Sequence, residues 1–118
     1  MSGQTCARGE IWLVNFNPGW GSEQQGIRPV LILQNDIGNE YAATTIVAAV
    51  VSASKTYPIT VLLDRMESGL KQASMVNLAQ LLSVDKSRLL RRIGHVGNES
   101  MLQVDKAIGI SLGLHSST

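Results

Sequence analysis

The chain has 118 residues, a formal net charge of +1 and a hydrophobic share of 44%, with aromatics at only 4%. That describes one domain with a modest core, too apolar for a disordered chain and too evenly charged for a non-specific binder of duplex nucleic acid. No apolar run approaches the roughly 20 residues that cross a bilayer, and the lone Cys6 excludes an internal disulfide and a cysteine zinc cluster.

Residues Met1 to Ala7 show no basic stretch leading into an apolar one, so no signal peptide is expected and the cytoplasm is the default location. Gly9 to Phe16, with Ile11, Trp12, Val14 and Phe16, reads as a first strand that Asn17-Pro18-Gly19 ends. Trp20 falls in the next loop, where it either stacks a base or folds back as a lid. The stretch Gly21-Ser22-Glu23-Gln24-Gln25-Gly26-Ile27-Arg28-Pro29 follows: a polar, glycine-bounded loop that delivers one arginine to the mouth of a strongly apolar strand. Pro29 has a fixed φ and no N–H, so it suits a strand's first positions and disfavours helix at Arg28. The loop and Arg28 offer a hydroxyl, a carboxylate, amides and a guanidinium, a set able to hold and polarise a phosphodiester. The same residues also allow a purely structural reading, with Arg28 bridging Glu23 or Asp36.

Arg28 to Gln34 is the second predicted strand, and Asn35-Asp36-Ile37-Gly38-Asn39 a turn-rich connection. Thr44 to Val51 is apolar after its two threonines, as expected of a strand covered on both faces, central in the sheet or at a subunit contact. A loop over Ser52 to Thr56 leads to a strand from Tyr57 to Leu63, and Asp64 to Lys71 reads as a turn region. Ser74 to Leu82 fits one or two short strands. Asp85 to Leu90 fits a short helical turn with Asp85 as its cap, and Ile93 to Val96 a short strand. The one long helix is the last element. Gly97-Asn98 supplies its start, Glu99 its first-turn charge, Met101, Val104, Ile108 and Leu112 its spacing, and Gly113 its stop. Short strands followed by one amphipathic helix make a mainly β (α+β) domain. Lys86, Arg88, Arg91 and Arg92 form a local basic cluster, and a small groove for single-stranded RNA can work with few positive charges.

Three phrases carry a resemblance: Arg8-Gly9-Glu10-Ile11-Trp12, the Arg28 loop, and Gln34-Asn35-Asp36-Ile37-Gly38-Asn39, with Gln80 and Asp85-Lys86-Ser87-Arg88-Leu89 in the second half. The chain resembles the MazF/PemK/Kid toxin ribonucleases from about residue 8 to about residue 114. Accordingly residues 1–7 are expected to be a flexible N-terminus, 8–114 the domain, and 115–118 a tail. The resemblance implies an SH3-like small barrel of the CcdB/PemK type with a C-terminal helix, a homodimer, and a sequence-specific endoribonuclease for single-stranded RNA that needs no metal or cofactor. It also implies a cognate antitoxin whose acidic, disordered tail covers the site.

Chemistry of that class has the ribose 2′-hydroxyl attack the adjacent phosphorus, releasing a 5′-hydroxyl and a 2′,3′-cyclic phosphate. A base, a donor to the phosphorane oxygens and an acid are required. His95 and His115 are isolated in sequence, which disfavours a paired-histidine mechanism. Arg28 aligns with the family's catalytic arginine and can give phosphate oxygens a bidentate pair. Glu23 either orients Arg28 or accepts the proton, or is a solvated loop carboxylate. Ser22 and nearby backbone N–H groups would position the phosphate. Where the family places a threonine or serine, this chain has Val51. Ser52, which follows it, substitutes only if a bulge or the strand's end turns it inward; otherwise the site is weakened or the register differs by one. Gln80 matches a glutamine near the RNA groove, though a buried structural amide fits equally. Asn15, Trp20, Gln24 and Lys55 could line the groove, and Leu82 stands where some relatives have a polar or basic residue. A degenerate member that binds RNA or antitoxin but cuts slowly is the main alternative. A gyrase-binding toxin like CcdB is weaker, because its Trp-Gly-Ile tail is missing from the ending Gly113-Leu114-His115-Ser116-Ser117-Thr118.

Overall fold

The computed structural model describes residues 5–18 and 25–115. Among them, six strands form one antiparallel sheet: β1 (Glu10–Asn15), β2 (Ile27–Ile32), β3 (Thr44–Ser52), β4 (Thr60–Leu62), β5 (Ser74–Asp85) and β6 (Leu89–His95). Their order is β4-β5-β3-β2-β1-β6. Three helices accompany them: α1 (Asp36–Tyr41), α2 (Arg65–Ser68) and α3 (Asn98–Ser111).

Strand alternation sends the apolar side chains to two faces, each with its own core. One face carries Ile11, Leu31, Ala48, Val50, Val76 and Leu78, and α3 covers it with Met101, Val104 and Ala107. The other carries Trp12, Val14, Val30, Ile32, Val47 and Val84, closed over by Phe16 and Cys6. A two-sided sheet explains why β3 reads as a continuous apolar run: its central residues Val47 to Val50 are all buried.

Strands β4 and β6 are the two edges, yet they are brought together. The short helix α2 leaves β4 and packs on β6, at the far edge of the sheet. The seam works only with glycines. A Cβ on Gly69 would lie 1.9 Å from the Ile93 carbonyl oxygen, and one on Gly94 would lie 2.1 Å from that of Ser68. Gly69 also has φ +74°, a left-handed conformation that terminates α2. In the same seam a Glu67 carboxylate oxygen accepts from the Gly97 N–H at 3.3 Å, so α2 supplies the cap at the start of α3. The sheet is thus curled, with its edges bridged through α2, in keeping with a small barrel.

Several local expectations are corrected. The connection after β2 is a helix, α1, not a turn: the Asn35 Oδ1 accepts from the Gly38 N–H at 2.8 Å, and Asn39 is buried, accepting from the Thr45 hydroxyl at 2.7 Å. The Asp64–Lys71 region contains α2, capped by the Asp64 carboxylate. Strand β4 is shorter than Tyr57 to Leu63, and β5 is one long strand with a register shift where Ala48↔Leu81 gives way to Ala49↔Asn77. Asp85 caps a single 3-10 turn over Lys86–Arg88, as the sequence indicated. The chain then enters β6 at Leu89 rather than Ile93. Helix α3 begins after Gly97 and gives way to Gly113 at φ +78°.

Candidate functional site

An open groove of about 700 Å³ lies at one end of the sheet. Its floor is the end of β3, with Val50, Val51 and Ser52. Arg28 and Pro29 of β2 form one side. Leu70, Lys71, Gln72 and Ser74, which lead from α2 into β5, form the other, joined by Gln80. Because β3 lies between β2 and β5, the two sides are set by the sheet order itself.

Arg28 is exposed, and its Nε donates to the Gln25 carbonyl oxygen at 3.0 Å. That bond fixes the guanidinium near the groove, and among the described residues neither Nη group makes a hydrogen bond, leaving both to face a ligand. Among the described residues no carboxylate forms an ion pair with it. Asp36, one candidate for such a bridge, is engaged elsewhere. Its Oδ1 accepts from the Arg8 N–H at 2.7 Å and from Asn39 Nδ2 at 3.1 Å. These bonds, the Arg8 N–H foremost, hold its carboxyl below the ordinary carboxylate range.

Val51 and Ser52 both border the groove. Continuing the β2–β3 register beyond Val30↔Ala49 by two residues sets Val51 opposite Arg28. No bulge separates Val51 from Ser52, since the register shift of β3 on β5 lies at Ala48 and Ala49. Ser52 is exposed and is the last residue of its strand. Gln80 sits at the irregularity of β5 that follows from this shift, which brings it to the groove.

Glu23, Ser22, Gln24 and Trp20 lie outside the described residues. Asn15 and Lys55 are not among the groove-lining side chains. The Asn15 Oδ1 accepts from the Asn17 N–H at 2.9 Å, closing the turn after β1. Lys55 Nζ lies 5.6 Å from the centre of the Tyr57 ring. The basic cluster does not form the groove either. Lys86 is buried, Arg88 donates to the carbonyls of Asn15 and Asn17, and Arg92 pairs with Glu10 at 3.2 Å. Sequence reasoning passed over Lys71, Gln72 and Ser74, which lay in or beside an apparent turn region. Only the fold's closure by α2 brings them opposite Arg28.

The phrase Arg8 to Trp12 is a structural joint. Arg8 donates from Nε to the Leu33 carbonyl at 2.8 Å and from Nη2 to Asp105 at 2.5 Å, tying β2 and α3 to the chain's start. Trp12 Nε1 donates to Glu10 Oε1 at 2.9 Å. Cys6 is buried, and desolvation pushes its thiol pKa up, so it is a poor nucleophile. Among the described residues no group of three or more His, Cys, Asp or Glu side chains is placed to hold a metal ion.

Comparison with known proteins adds to this geometry. Residues 7–112 match the profile of a family described as PemK-like, MazF-like toxin of type II toxin-antitoxin system. The chain is 41% identical to Endoribonuclease EndoA of Bacillus subtilis over 109 residues, covering 91% of this chain and 94% of that protein. It is 40% identical to Endoribonuclease MazF of Staphylococcus saprophyticus over 111 residues, 92% of each. Its fold is similar to that in a crystal structure of MazE-MazF from Deinococcus radiodurans, with a TM-score of 0.76, 26% identity, and coverage of 95% of this chain and 99% of the other.

Proposed function

The chain belongs to the PemK-like, MazF-like toxins of type II toxin–antitoxin systems, and on that premise we propose that Arg28 acts on the scissile phosphate of single-stranded RNA without a metal. The activity is that of a toxin endoribonuclease. The observation that carries the assignment to Arg28 is its position. It is an exposed guanidinium at the side of a groove, held through Nε and facing no acid among the described residues.

In the proposed reaction the 2′-oxygen attacks phosphorus and loses its proton to a base. The P–O5′ bond breaks, and the departing oxygen takes up a proton to become a 5′-hydroxyl. Arg28 donates to the phosphorane oxygens, where charge builds up in the transition state. An arginine rarely gives up a proton, so the base is sought elsewhere. Glu23 is proposed to orient Arg28 or accept the 2′ proton, and Ser52 to supply the hydroxyl that Val51 lacks. Ser22, Gln24, Trp20, Asn15, Lys55 and Gln80 are proposed RNA contacts, with Gln80 best supported because it borders the groove.

A homodimer, an antitoxin partner with an acidic disordered tail, and a cytoplasmic location complete the proposal. The family description and the MazE-MazF assembly of the Deinococcus protein support the antitoxin partner, while the homodimer is carried from the resemblance and the location from the sequence. No described helix is long and apolar enough to cross a membrane. One observation favours a second reading, slow cleavage by a degenerate member: the residue set opposite Arg28 is Val51, which has no hydroxyl.

Cleavage of a long single-stranded RNA in EDTA, with mapping of the ends, tests the proposal. Sequence-specific cuts with 5′-hydroxyl ends are expected, and Arg28→Ala abolishes them. Full activity in that variant removes Arg28 from the mechanism.

A further inference from the structure

We propose that Lys71 is a second phosphate contact, gripping the RNA backbone from the side of the groove opposite Arg28; this rests on the nuclease reading of the same groove. The described lining residues include two cations, Arg28 and Lys71, and no carboxylate. The rest are neutral amides and hydroxyls with apolar Pro29 and Leu70 on the two sides and Val50 and Val51 on the floor. A positive rim on each side of an apolar floor with amides suits a single strand whose phosphates ride the rims while a base lies on the floor.

Lys71 is presented from a fixed backbone. Gly69 is locked by its close approach to β6, and Leu70 packs against the core beneath α3. Arg65 Nη2 donates to the Lys71 carbonyl at 2.5 Å, and the Gln72 carbonyl accepts from the Ser74 hydroxyl at 2.9 Å. The side chain itself is exposed and makes no ion pair among the described residues. A structural lysine would have its ammonium engaged; here the backbone is held and the charge is left to the groove. Because β3 separates β2 from β5, Lys71 and Arg28 reach different positions along a strand lying over β3. Arg28 serves the scissile phosphate, and Lys71 serves a neighbouring one.

The test uses the full chain and the mapped cleavage sequence carrying one 2′-deoxyribose at the scissile position, so that binding is measured without cutting. Wild type, Lys71→Gln and Lys71→Arg are titrated across a salt series. Loss of one phosphate contact on a single strand lowers the slope of log K against log salt by about 0.7. Lys71→Gln is expected to show that change with affinity reduced about fivefold at low salt, while Lys71→Arg keeps the wild-type slope. On cleavable RNA the loss appears in KM rather than kcat. An unchanged slope and affinity in Lys71→Gln overturns the inference while leaving the nuclease reading intact. A wild-type protein that neither cuts nor binds the RNA overturns both.

Discussion

Ser52 and Ser74 stand directly opposite each other at the ends of β3 and β5, and both border the groove. Cross-strand partners leave a sheet on the same face, so the two hydroxyls share one corner of the site. Ser74 spends its proton on the Gln72 carbonyl, which leaves Ser52 as the hydroxyl with the freer geometry. Ser52→Ala is therefore expected to lower kcat about tenfold, the effect of one transition-state hydrogen bond. Single-turnover cleavage measures it. If Ser52→Ala cuts at the wild-type rate while Val51→Thr cuts faster, the site is a weakened one and Ser52 has no role.

Replacing Arg28 by lysine keeps the charge but loses the planar fork. Arg28→Lys is expected to reduce kcat by about 100-fold or more, with a smaller change in KM. A rise in KM with kcat unchanged would instead assign Arg28 to ground-state binding.

The lowered pKa of Asp36 gives stability a pH dependence. Its carboxylate is stabilised in the fold, chiefly by the Arg8 N–H, so that contribution is fully present above the ordinary aspartate value of about 4. It is lost as pH falls from there through the depressed folded pKa. Asp36→Asn is expected to cost about 1 kcal/mol at neutral pH, discounted for exposure, and to flatten the acid side of the curve. Urea unfolding between neutral and acid pH reads both effects, and coincident wild-type and variant curves would contradict them.

Gly94→Ala is expected to destabilise the fold by about 3 kcal/mol, because the new Cβ would meet backbone atoms of Ser68 that cannot move aside cheaply. The damage should also reach the groove, since α2 presents the Lys71 loop. Denaturant unfolding gives the first number, and KM for RNA the second. A variant of wild-type stability would show that the α2–β6 seam is looser than its geometry indicates.

Much of this was legible in the chain. β-favouring residues gave the position of β1, consecutive apolar runs gave β2 and β3, and helical spacing gave α3. Arg28 was visible because a rigid strand start followed a polar glycine-bounded loop. Helix α1 was hidden because it is one and a half turns long and contains Gly38, too short for periodicity to register. The first half of β6 was hidden because an edge strand exposes Arg91 and Arg92, which read as part of a basic cluster rather than as strand. Lys71 escaped for a different reason. Its place is fixed by an approach of Gly69 to Gly94 across the sheet, and no local pattern encodes such a long-range contact.

Strand β1 lies between β2 and β6, so the first strand among the described residues pairs with the last. Arg8 then reaches Asp105 in the terminal helix. The sheet therefore acquires both of its margins only after residues as far as His95 have left the ribosome.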